Sequence, residues 1–222
     1  MIKYLLSVSL FLFVIGCTSH SKPNRDLLVN EICNSFQKDD VIESDSIKLV
    51  RIFKKHLDPY LKGATKDSIK DLTDFIFIRL QRDCLEFKDL VDRLNFGKTK
   101  DDSKTVDIEP ESDINEAGYK VFFKIKNFKY LESNGDTVSV LITDSSWVDH
   151  FLDGTHSRLS LNKLNQNEFI ITFIESNNIG RMNFSKSGDQ YRYKILKRDK
   201  TYYSMFVQAI GSKIKATFKL YY

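Results

Sequence analysis

Residues 190–222 read QYRYKILKRDKTYYSMFVQAIGSKIKATFKLYY, and their period decides the fold. Tyr191, Tyr193 and Ile195 make an aromatic or apolar face against Arg192 and Lys194. Ile214, Ala216, Phe218 and Leu220 alternate in the same way with Lys213, Lys215, Thr217 and Lys219. A period of two belongs to a strand with one buried face. Arg198-Asp199-Lys200 and Gly211-Ser212 supply turns between such strands.

The same period extends back to Gly118. It predicts strands over 119–126, 128–132, 137–143, 146–152, 157–164, 168–175, 181–185, 190–197, 202–210 and 213–221. Asn134-Gly135, Asp153-Gly154, Asn165-Gln166-Asn167 and Ser187-Gly188-Asp189 mark the turns. Phe169, Ile170, Ile171, Phe173 and Ile174 are apolar on both sides, the pattern of a central strand covered on both faces. Short antiparallel strands at this spacing predict a sheet, or a small up-and-down β-barrel, over 118–222.

Upstream the period is helical, and the region 24–96 is expected to form a three-helix bundle. Leu28, Ile32 and Phe36 step by four, with Cys33 beside them. Ile47, Val50, Phe53, Lys54 and Leu57 follow, with Pro59 expected to end that helix. Ile69, Leu72, Ile76, Leu80, Cys84, Phe87, Val91 and Leu94 make one long stripe, with Thr65 or Asp67 as its cap. Residues 97–117 carry little to bury and are expected to be a polar linker. Its acidic end (Asp107, Glu109, Glu111, Asp113, Glu116) is expected to be solvated, and it lacks the spacing and central glycine of a calcium loop. The class is therefore α+β, helices first and antiparallel β second.

The N-terminus sets the address. Lys3 precedes an apolar run over 4–15, too short for the roughly 20 residues of a membrane span but suited to a secretory signal. Its end, Val14-Ile15-Gly16-Cys17, resembles the bacterial lipobox. That resemblance implies cleavage before Cys17, a diacylglycerol on its thiol and an acylated new N-terminus. Residues 1–16 are then the signal and 17–23 a tether. The expected location is the cell envelope, lipid-anchored, with the outer membrane favoured over the inner. In that oxidising compartment the remaining pair, Cys33 and Cys84, is read as a disulfide in preference to two reduced, buried thiols.

Within the β half, Phe128-Lys129-Tyr130, the segment 160–174, and Ser187-Gly188-Asp189 leading into Lys194-Ile195-Leu196 resemble a group of small, uncharacterised bacterial β-rich proteins. The resemblance implies a fold and no activity. The chain departs from the group at Leu164 and Asn167, where the group tends to carry Trp and Cys.

No P-loop, G-x-G-x-x-G or G-x-S-x-G is present, so nucleotide and elbow-type hydrolase chemistry have no motif. The one cluster with metal-binding residue types is His150 and His156 with Asp149, near Asp144 and Asp153. Its spacing matches no zinc motif. An extracytoplasmic metal-dependent hydrolase using His150 and His156 is the alternative reading, and a cleft gathering them with Asp149 would favour it. From Ile179 onward ten Lys and Arg stand against two Asp, although the whole chain carries only +4. That basic face is read first as plain solubility and edge protection of exposed strands; a protein, or an anionic lipid or glycan, is the partner it would take, since an exported protein seldom meets nucleic acid. The leading expectation is a membrane-tethered, non-enzymatic binding or interaction module with no cofactor and no catalytic residues. A cavity lined by Tyr191, Tyr193 and Phe218 would favour it.

Overall fold

Four helices lead into an eight-stranded antiparallel barrel. The computed structural model describes residues 24–94, 100, 102–165 and 167–222. The expected signal, Cys17 and the tether to 23 lie outside the described residues. Among the described residues no helix is long and apolar enough to cross a membrane.

The helices are α1 (Arg25–Lys38), α2 (Asp45–Leu61), α3 (Lys66–Asp83) and α4 (Leu85–Leu94). Their starts follow from short polar side chains that accept orphan backbone N–H groups. Asn24, Ser44 and Thr65 take the N–H of Leu27, Ile47 and Ser68. Four helices replace the expected three, because the long stripe breaks at Cys84. There φ is −126° and ψ 103°, outside helical values. Cys84 still donates its N–H to the Leu80 carbonyl, at 2.9 Å, and accepts from Lys88 N–H at 3.0 Å, so one residue ends α3 and starts α4. The bend folds α4 back and puts Phe87 against Phe36, Phe53 and Phe77, with centroids 5.4, 5.8 and 5.3 Å away. Pro59 does not stop α2, which runs two residues further, and Ile47 and Val50 face solvent. The Cys33 and Cys84 sulfurs are 2.17 Å apart, joining α1 to the α3–α4 bend as a disulfide.

The barrel strands are β2 (Asn127–Leu131), β3 (Thr137–Ile142), β4 (Ser146–His150), β5 (His156–Asn165), β6 (Glu168–Ser176), β7 (Gln190–Arg198), β8 (Tyr202–Ala209) and β9 (Lys215–Tyr221). Each pairs with the next, and β9 returns to β2 at Lys129–Tyr221. The first half of β9 instead pairs with β1 (Lys104–Thr105), which completes the wall there. Two expected strands are helices: 119–126 holds most of α5 (Glu116–Phe122), and 181–185 most of α6 (Ile179–Phe184). Strand β6 is covered on one face only. Phe169, Ile171 and Phe173 point inward and are buried, while Ile170 and Ile174 are half-buried.

The barrel has two unlike ends. At one, Phe122, the last residue of α5, and Phe123, which caps it, enter the lumen and pack on Phe128, Phe169 and Tyr203. At the other, α3 and α6 lie across the mouth. Arg79 Nε donates to the Asn183 carbonyl at 2.9 Å, Arg82 pairs with Asp189, and Ser212 Oγ donates to the Arg82 carbonyl at 2.8 Å. The helical core and the barrel core are separate hydrophobic clusters, and these polar contacts join them.

The described part of the expected linker, 100 and 102–117, is a strap and not a solvated loop. Asp113 N–H and Ser112 Oγ bond the carbonyls of Leu196 and Ile195 at 2.8 and 2.6 Å. Glu109 pairs with Arg192 and, at 3.0 Å, with Lys194; Asp102 bonds Lys219 at 3.0 Å and also Tyr221. The Arg192 guanidinium, with Lys194 behind it, holds the Glu109 carboxyl down at about 2. Much of the basic face is thus neutralised by the chain's own acids.

Candidate functional site: the barrel lumen

An eight-stranded barrel is just wide enough either to fill with side chains or to hold one small ligand. This one does both. The α5 end is filled by aromatic rings, and the mouth half encloses a cavity of about 430 Å³. Tyr191, Tyr193 and Phe218 line it, together with Tyr130 and Trp147. The rings follow one another round the wall in tilted and T-shaped contacts. Trp147–Tyr193, Tyr193–Phe218 and Tyr130–Phe218 centroids are 5.5, 5.9 and 6.5 Å apart. Ala209 and Ala216 also face the space, and their small size is one reason it is open.

A few polar groups converge on this apolar wall. Trp147 and Asp149 are two apart on β4 and so share its inner face. Trp147 Nε1 donates to Asp149 Oδ1 at 2.8 Å, and Asp149 is only 7% exposed. Burial pushes the Asp149 carboxyl up to about 6, against the opposing pull of Arg181 and the indole N–H. Arg181 enters from α6, donates to Tyr130 Oη at 2.8 Å and pairs with Glu132. Burial and the nearby Asp149 raise the Tyr193 phenol above its ordinary value. Ser185 on the helix side bonds the Tyr191 hydroxyl. An apolar concavity with a few fixed polar groups and a shifted carboxyl has the chemistry of a small-molecule site.

The expected histidine cluster is divided by the sheet. His150 and His156 are register partners on β4 and β5, and both are exposed on the barrel's outer face. Asp149, adjacent to His150, necessarily points to the opposite side. Asp153-Gly154 forms the turn between the two strands, with Gly154 at φ +82° as such a turn needs. Asp144 pairs on the surface with Lys163 at 3.2 Å. Among the described residues, the one trio of possible ligands close enough for a metal is Cys33, Cys84 and Glu86, and both cysteines are in the disulfide.

Two site residues were not legible as such. Asp149 carried a signal, since a carboxylate two residues after Trp147 on an alternating strand belongs to the aromatic face. Arg181 read as one more basic strand residue. Asn178, whose side chain accepts from Arg181 N–H at 3.1 Å, starts the short helix that turns it to the mouth. Comparison with protein-family models, curated proteins and solved structures finds no match to this chain.

Proposed function

We propose that this protein is a lipid-anchored component of a bacterial cell envelope that binds a small molecule in its barrel without transforming it. The observation that carries this reading is the half-filled lumen. One end is packed solid by Phe122 and Phe123, while the other keeps about 430 Å³ behind a helical cover. A structural barrel gains most by packing its whole interior, because each void forfeits dispersion contacts and apolar burial. The lipobox-like ending at Cys17 supports the anchor, and the disulfide suits an oxidising compartment. The outer membrane is the proposed site. For an anionic lipid or glycan partner, the basic face offers Lys197, Arg198, Lys200 and Lys213, which are exposed; Arg192, Lys194 and Lys219 already have acidic partners in the strap.

The test uses N-phenyl-1-naphthylamine, an uncharged apolar fluorophore, titrated into wild type and an Ala216→Phe variant that fills the lumen. Wild type should bind one equivalent with energy transfer from Trp147, and the variant should lose at least tenfold in affinity while keeping its far-UV circular dichroism. Equal binding by both proteins, or binding by neither, would refute a ligand-holding lumen.

A further inference from the structure

The lumen holds one buried carboxylate without an ion-pair partner, and this assigns it a ligand chemistry. The inference rests on the small-molecule reading above. Three resident cations reach the cavity, each with its own carboxylate: Arg181 with Glu132, Arg82 with Asp83 and Asp189, and Lys88 with Asp92 at 2.7 Å. Asp149 is the carboxylate left over. Its Oδ1 is taken by the Trp147 indole, but among the described residues no side chain hydrogen-bonds to Oδ2 or forms an ion pair with the group. A side chain more than nine-tenths buried thus presents a free acceptor to a cavity open at its mouth. Arg181 offsets part of the cost of ionising it, but a buried carboxylate without a hydrogen-bonded cation remains costly unless one joins it.

The surroundings fit the same partner. Trp147, Tyr193, Tyr130 and Phe218 present aromatic rings to the cavity beside Asp149. Aromatic faces attract ammonium groups by their quadrupole, most strongly in desolvated sites. We propose that the lumen binds a small organic cation: a protonated amine donating to Asp149 Oδ2, with an apolar body lying against the aromatic and aliphatic wall. Leu159 and Ile171 supply the aliphatic part of that wall, and Phe173 adds a further ring.

A proton competes with the cation for this carboxylate, which accords with a carboxyl held at about 6. The charged groups acting on Asp149 are Arg181 from α6, Glu132 just after β2 and the adjacent His150, and Tyr130, Tyr191, Tyr193, Arg82 and Lys88 also line the cavity. The Tyr130 and Tyr193 phenols and the Arg82 and Arg181 guanidiniums are held above their ordinary values and keep their protons near neutrality. Amine binding should therefore weaken as pH falls through about 6, approaching tenfold per unit below it.

Hexylamine, hexanol and hexanoate, followed by Trp147 emission at pH 7.5 and 5, form the test on wild type, Asp149→Asn and Ala216→Phe. The expected order in wild type at pH 7.5 is hexylamine at least tenfold tighter than hexanol, with hexanoate weakest. The preference should vanish in Asp149→Asn and shrink at pH 5, while hexanol binding stays constant in both. If hexanol binds as well as hexylamine in wild type, blocked only by Ala216→Phe, the lumen binds apolar molecules and the cation assignment is wrong. A hexanoate preference would also overturn it and point to Arg181. If none of the three binds, or Ala216→Phe changes nothing, the small-molecule reading falls with it. The pH comparison on wild type decides the matter even if Asp149→Asn fails to fold.

Discussion

Reducing the Cys33–Cys84 bridge should unfold the helical unit and leave the barrel standing. The two cysteines are 51 apart in sequence, and a loop of that size gives about 4 kcal/mol on the chain-entropy model. Little packing is lost, because both residues are already buried and a thiol fills space as a small hydrophobe. The unit has about 70 residues, a size at which a single core rarely exceeds roughly 3–5 kcal/mol without a staple. The bridge's share is thus comparable with the whole. Its urea slope should be near 1 kcal/mol per M, so reduction should lower the midpoint by about 4 M, from a measurable transition to none. The assay follows from the sequence: Trp147 is the one tryptophan and lies in the barrel, while four of the six helices lie upstream. Urea unfolding of Cys33→Ala/Cys84→Ala should show an early loss of ellipticity at 222 nm and an unchanged tryptophan midpoint. If both signals move together, helices and barrel form one cooperative unit despite their separate cores. If neither moves, the bridge does not constrain the helices and the entropic argument fails.

Other outcomes follow from the same geometry. Cys17→Ser should abolish partitioning of the expressed protein into detergent, and a variant that partitions like wild type would end the anchor proposal. Glu109 has a depressed folded value, so its contribution is complete above the ordinary 4.5 and is lost as pH falls through about 2. Glu109→Gln, at a screened cost of about 1 kcal/mol or less, should speed hydrogen exchange of residues 106–113 at neutral pH, and unchanged exchange would show the strap held by its backbone bonds alone. Arg79→Met should leave the Asn183 carbonyl without its donor, cost about 1–3 kcal/mol and raise exchange in α6; a neutral variant would mean the helical cover is held elsewhere. A fragment of 100–222, which keeps β1 and the strap, should fold with native tryptophan emission, whereas 118–222 should be measurably less stable.

The alternation in 190–222 was enough to read β7, β8 and β9, and the same rule found the other five barrel strands. It failed where elements were short. Tyr119, Phe122 and Phe123 have helical spacing, yet over two turns Tyr119, Val121 and Phe123 pass equally for a strand. The break at Cys84 had no Gly or Pro to announce it. What draws the chain inward there is a bond to Cys33 on α1, a long-range contact that local periodicity does not contain. The strap was misread because Glu109 and Asp102 look solvated until β7 and β9 place Arg192, Lys194 and Lys219 beneath them. The aromatic residues of the site were legible as a face. The cavity was not, since sequence shows which side chains point inward and not how much space they leave.

The most direct test of the central claim is native mass spectrometry of the protein purified without denaturation from its own host, beside the Ala216→Phe variant purified in the same way. Wild type should carry a small organic adduct in one-to-one ratio that is released on unfolding, and the lumen-filled variant should be bare. A wild-type mass explained by chain, disulfide and lipid alone, or an adduct retained by both proteins, would contradict the account.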